Sequence, residues 1–126
     1  MAKFLQRTEI LQGDFNQCES FVDCNTFVYF DPPYRPISNT SNFTSYSHQT
    51  FDDSEQLRLR NFYEKLDKKG ALLLLSNSDP KNQNPEDDFF EKLYIDYRIE
   101  RVKASRHINS NALKRNSINE LLIMNY

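Results

Sequence analysis

Residues 26–34 read Thr-Phe-Val-Tyr-Phe-Asp-Pro-Pro-Tyr, an apolar, β-branched and aromatic run that stops at Asp31-Pro32-Pro33-Tyr34. The run has strand composition, and the two prolines forbid its continuation because each fixes φ and lacks an N–H. A carboxylate is thereby delivered to the carboxyl end of a buried strand, where open α/β sheets bind ligands. Pro33 stiffens the turn that follows, and Tyr34 adds a ring. Asp-Pro also occurs as an ordinary strand-ending turn. The full tetrad behind a strand suits methyl transfer to an exocyclic amine. Such an amine is planar and a poor nucleophile, because its lone pair is delocalised into the base. Two acceptors set against its two N–H bonds favour the tetrahedral form and aim the lone pair at an electrophile. The Asp31 carboxylate is one acceptor and the Pro32 carbonyl the other. Tyr34 offers a face for base stacking, worth about 1–3 kcal/mol in comparable sites. Both hydrogen bonds act on charge that develops in the transition state, so they serve rate as well as binding.

The elements that must position these groups alternate β with α. Residues 8–12 are expected as a short strand ending at Gly13-Asp14-Phe15, residues 17–23 as one or two helical turns, and residues 27–30 as the central strand. Residues 35–50 are a loop rich in Ser, Thr and Asn. Asp52 or Asp53 then caps a helix, with Glu55 at capping-box spacing from Asp52. Its apolar positions Leu57, Leu59, Phe62, Tyr63 and Leu66 recur at roughly helical period, and Gly70 after Lys68-Lys69 is a stop signal. Residues 71–76 form a continuous apolar run, as expected of a strand covered on both faces. Residues 87–94 read as a short helix, and residues 97–105 and 120–126 as a final antiparallel pair.

On these residues the chain resembles the amino-methylating, S-adenosylmethionine-dependent DNA methyltransferases, and more closely the Dam-type N(6)-adenine methylases that modify GATC. DPPYRPISNTSNFTSY, from Asp31 to Tyr46, is similar to that family's catalytic motif and the loop after it. LLLSNSD (Leu73 to Asp79), SRHINSN (Ser105 to Asn111) and INELLIMNY (Ile118 to Tyr126) follow in the family's order and at similar spacing. The resemblance runs from about Leu11 to Tyr126. It implies a Rossmann-like α/β methyltransferase fold, with residues 1–126 as the carboxyl-terminal part of the catalytic domain. It also implies S-adenosylmethionine as cofactor, double-stranded DNA as partner and a restriction–modification setting. Asp14 then accepts from the cofactor's adenine amino group, Phe15 packs beside that ring, and Asp31 adjoins both ligands. The other reading of Gly13-Asp14-Phe15 is a plain strand-to-helix turn capped by Asp14. The family's glycine-rich cofactor loop, ribose-binding acidic residue and target-recognition domain have no counterpart: Gly13 and Gly70 are the two glycines, and no GxG occurs. The missing amino-terminal half is therefore an expected partner.

Between Ser38 and Tyr46 lies a polar stretch with Asn42, Phe43, Thr44 and Tyr46. Loops this long in compact domains are usually functional or disordered. A base in a duplex must be flipped out to be methylated, at a cost of about a few kcal/mol, and this loop is placed to close over it; a solvated connection is the bland alternative. Lys103, Arg106, Lys114 and Arg115 flank a second polar stretch, where phosphate contact competes with a solvated turn.

Net charge is −2 and apolar content 38%, so no global basic field drives nucleic-acid binding and the core is modest. Cys18 and Cys24 match no zinc spacing, follow no proline and are too few for a disulfide scaffold; both are expected as structural residues, and no metal is expected. His48 and His107 are expected at the surface. Met-Ala-Lys-Phe is no signal peptide and no run approaches a membrane span, so a cytoplasmic, bacterial or phage-like protein is expected. Two other functions stay open: methylation of a guanine amino group in RNA, served by similar tetrads, and a non-catalytic remnant or subunit that binds a partner.

Overall fold

The structure, a computed structural model, describes residues 5–36, 51–105 and 118–126. Asp52 starts its longest element: the carboxylate accepts from the Glu55 N–H at 3.0 Å, and helix α1 runs Asp53–Lys68. Asp53 and Glu55 in the first turn and Lys65 and Lys68 in the last complement the helix dipole. Leu59, Phe62, Tyr63 and Leu66 form the buried stripe, whereas Leu57 is 50% exposed. Two residues before Leu59, it is rotated by about 200° and falls on the opposite side of the helix from that stripe. Gly70 ends the helix at φ 87°, where a side chain would be strained and would also crowd Cys24.

Strands β1 (Phe27–Phe30), β2 (Leu72–Ser78), β3 (Arg98–Ala104) and β4 (Ile118–Met124) form one mixed sheet in the order β1-β2-β4-β3. β1 and β2 are parallel with Phe30 opposite Leu75, and α1 lies in the connection between them. β4 runs antiparallel to both β2 and β3, which gives the expected final pair. Phe30, Leu73, Leu75, Leu121 and Ile123 pack with the α1 stripe. Tyr63 sits at the centre, with its ring 5.5 Å from Phe30, 5.4 Å from Tyr94 and 4.8 Å from Tyr97. A short helix α2, Phe89–Leu93, adds the buried Phe90.

Several sequence expectations are corrected. Residues 8–12 form no strand; Ile10 is 78% exposed and the segment has no ladder partner among the described residues. The helical turns expected over residues 17–23 are a 3-10 helix at Phe15–Phe21. β1 lies at the sheet edge among the described strands, not at its centre, because β2 pairs along one side of it. In the run 71–76, expected to be covered on both faces, Ala71, Leu73, Leu75 and Ser76 are buried but Leu72 is half exposed, and beside it on β1 Phe27 and Tyr29 are more than half exposed. Cys18 and Cys24 are exposed thiols rather than packed ones. No helix among the described residues is long and apolar enough to cross a membrane.

Candidate active site

Asp31, Pro32 and Pro33 leave the end of β1 and line a cleft of about 850 Å³. Gly13, Asp14 and Phe15 line the same cleft, with Val28, Leu59, Phe62 and Leu66 supplying apolar surface. Two separate sequence motifs thus share one cavity. Tyr34 is not among the lining residues and is 39% exposed. Burial raises the Tyr34 phenol above its ordinary pKa, opposed by a hydrogen bond with Ser76 and reinforced by the charges of Glu120 and Asp31.

Ser76 is a junction that sequence reasoning did not single out. It is buried on β2, and its Oγ accepts from the Tyr29 hydroxyl at 3.0 Å and donates toward the Asp31 carboxylate at 3.4 Å. The available signal was its place in a parallel register, one residue beyond the Phe30–Leu75 pair that precedes Asp31.

Asp14 has two partners. Its Oδ2 accepts from the Asn16 N–H at 3.1 Å and caps the 3-10 helix. Arg58 from α1 donates to both carboxylate oxygens, at 2.6 and 3.0 Å, and its guanidinium lies 4.2 Å from the centre of the Phe15 ring. Glu55 holds Arg58 from the other side at 2.8 Å. A flat, N–H-bearing group stacked on Phe15 and bonded to Asp14 is what an aminated purine edge would present there, so the donor set fits an adenine.

The Arg58 hydrogen bond, followed by that of Asn16, holds the Asp14 carboxyl below its usual range. A depressed folded pKa means that the ionised form stabilises the fold above the unfolded value and loses this effect as pH falls through the folded one. We expect Arg58→Ala to move the Asp14 titration upward, followed by carboxyl-carbon chemical shifts. An unmoved titration contradicts the Arg58 assignment.

Beyond Tyr34, Arg35 fastens the chain. Its side chain bonds Asp53 at 2.8 and 3.2 Å and Asp87 at 3.2 Å, over the face of Phe89. Its backbone meets β2: the Arg35 N–H donates to Asn77 Oδ1 at 3.0 Å, and Ser78 Oγ donates to the Arg35 carbonyl at 2.8 Å. Of the remaining sequence candidates, Asn42, Phe43, Thr44, Tyr46, Arg106, Lys114 and Arg115 lie outside the described residues, as do His48 and His107. Lys103 is an exposed residue of β3.

Residues 1–108 match the D12 class N6 adenine-specific DNA methyltransferases. The whole chain aligns at 50% identity with the Type II methyltransferase M.MjaIII of Methanocaldococcus jannaschii, covering 42% of that protein. It is 39% identical over 94% of its length to the Type II methyltransferase M1.LlaDCHI of Lactococcus lactis subsp. cremoris, covering 39% of it. The DNA adenine methylase of Escherichia coli is 32% identical over 98% of the chain, which covers 44% of that enzyme. The chain belongs to the D12 class N6 adenine-specific DNA methyltransferase family. It spans about two fifths of the length of these relatives.

Proposed function

We propose that this chain is the carboxyl-terminal part of the catalytic domain of a site-specific DNA adenine-N(6) methyltransferase, built on a Rossmann-like sheet that is partial here. The observation that carries the reading is the convergence of Gly13-Asp14-Phe15 and Asp31-Pro32-Pro33 on one cleft. S-adenosylmethionine, when bound, supplies an electrophilic methyl group. Asp14 and Phe15 hold its adenine end in the place that Arg58 fills in this structure. Asp31 and the Pro32 carbonyl accept from the target amine and orient its lone pair. Tyr34 stacks the flipped base, and Pro33 keeps the turn rigid. Asn42, Phe43, Thr44 and Tyr46 close over the base, while Arg106, Lys114 and Arg115 contact phosphate. The amino-terminal portion of the enzyme, with the glycine-rich loop and the recognition domain, is the partner that completes both ligand sites. The exposed Phe27, Tyr29 and Leu72 face supports this, since apolar surface on one side of a sheet calls for cover.

The test is product identity. The chain assembled with its amino-terminal portion should yield N6-methyladenine in duplex DNA, detected by mass spectrometry of nucleosides. Methylguanine from RNA would favour the RNA alternative, and no methylated nucleoside of either kind would favour the binding-subunit alternative.

A further inference from the structure

Backbone pairing between β1 and β2 ends at Phe30 and Leu75. It cannot continue, because neither Pro32 nor Pro33 has an N–H to donate. β2 nevertheless runs on to Ser78, held on its other edge by β4, where Asn77 pairs with Leu121. Along this stretch, side chains of β2 take over the work of a backbone ladder. Ser76 Oγ reaches the Phe30 carbonyl at 3.5 Å, Asn77 Oδ1 receives the Arg35 N–H at 3.0 Å, and Ser78 Oγ binds the Arg35 carbonyl at 2.8 Å. Gln56 of α1 reaches the Pro33 carbonyl at 3.4 Å and also accepts from Asn77 Nδ2 at 3.4 Å.

Asn77 is fully buried. Burying an amide in an apolar strand is costly unless each polar atom is bonded. Its Oδ1 takes the N–H groups of Arg35 and Ser78, and Nδ2 goes to Gln56, which in turn holds Pro33. One of its bonds thus goes directly to the backbone just past the proline turn, and another reaches that turn through Gln56. The prolines fix φ within the turn but leave the direction of its exit free, and that exit is bound here.

We propose that Asn77, aided by Ser78, is a positioning residue that clamps the exit of the Asp31-Pro32-Pro33-Tyr34 turn and so fixes the angle at which the Asp31 carboxylate and Pro32 carbonyl meet the target amine. The proposal deepens the adenine-methyltransferase reading and rests on it. A displacement of about 1 Å in such a group costs about 10²-fold in rate. The clamp therefore acts on kcat, with little effect on the KM for DNA.

Two measurements test it. In the first, amide hydrogen exchange is followed in the chain itself, without substrate. Asn77→Ala should speed exchange of the Arg35 N–H by about tenfold or more while β3–β4 ladder amides keep their protection. Asn77→Asp should keep Arg35 slow, since a carboxylate oxygen still accepts. In the second, steady-state kinetics of the assembled enzyme should show kcat for Asn77→Ala reduced by about 10- to 100-fold with KM nearly unchanged, and largely restored in Asn77→Asp. Should Asn77→Ala lose the ladder amides too, Ser78→Ala replaces it, since it removes one hydroxyl; faster Arg35 exchange with an intact ladder is again expected. Unchanged Arg35 exchange in the folded variant, or an unchanged kcat, overturns the proposal. An unsubstituted enzyme that transfers no methyl group contradicts the functional reading instead, and the exchange pattern still decides whether Asn77 holds the turn.

Discussion

Asp31→Ala should lower methyl transfer by about 10²–10³-fold or more in the assembled enzyme, the loss expected when a preorganised partner of developing charge is removed. The fold should survive, because Asp31 is exposed and its bond with Ser76 is a long one at 3.4 Å. Asp31→Asn should retain measurable activity, since an amide oxygen still accepts from the amine. At Tyr34 the ring and not the hydroxyl is proposed to act. Tyr34→Phe should therefore stay near the parent rate, while Tyr34→Ala loses about 1–3 kcal/mol of base stacking. Single-turnover rates with saturating DNA, alongside thermal unfolding curves, separate chemistry from stability. An Asp31→Ala enzyme near the parent rate removes the assignment of this turn.

The second large effect concerns the cofactor. Held at its adenine end alone, S-adenosylmethionine should bind the isolated chain more weakly than about 1 mM, close to −4 kcal/mol. Arg58 already bonds both oxygens of Asp14 and covers Phe15, so it competes for the same ring and carboxylate. Arg58→Ala should then tighten adenosine binding, and Asp14→Ala should weaken it. Shift perturbations of Phe15 during a nucleoside titration report both. Micromolar affinity in the isolated chain, or a weakened Arg58→Ala, contradicts this view of the site.

Local signals in the sequence proved reliable where the physics is local. Asp52 and Glu55 three residues apart mark the helix start, and Gly70 after two lysines marks its end; the structure has both. The strand-to-proline turn was legible for the same reason, since prolines stop a strand wherever they stand. What pairs with what was less legible. The position of β1 at an edge among the described strands depends on partners remote in sequence, and residues 8–12 have strand composition without a strand to join among the described residues. Sharing of one cleft by Asp14 and Asp31 followed from a resemblance and not from periodicity. The Arg58–Asp14 and Asn77–Arg35 contacts span 44 and 42 residues, and nothing in the spacing of those residues announces them. Leu57 shows the limit of reading a stripe by eye, since an apolar residue two places off the face still looks periodic.

We propose that Asp31-Pro32-Pro33-Tyr34 orients the target amine and that Asp14 and Phe15 hold the adenine end of the cofactor, the remaining contacts coming from an amino-terminal portion of the enzyme. Tritium transfer from labelled S-adenosylmethionine into unmethylated GATC-containing duplex DNA tests it most directly, with the chain alone, the amino-terminal portion alone and the two mixed. Background counts are expected for each part and incorporation for the mixture, abolished by Asp31→Ala in this chain. Robust incorporation by the chain alone, or by a mixture carrying Asp31→Ala, would contradict it.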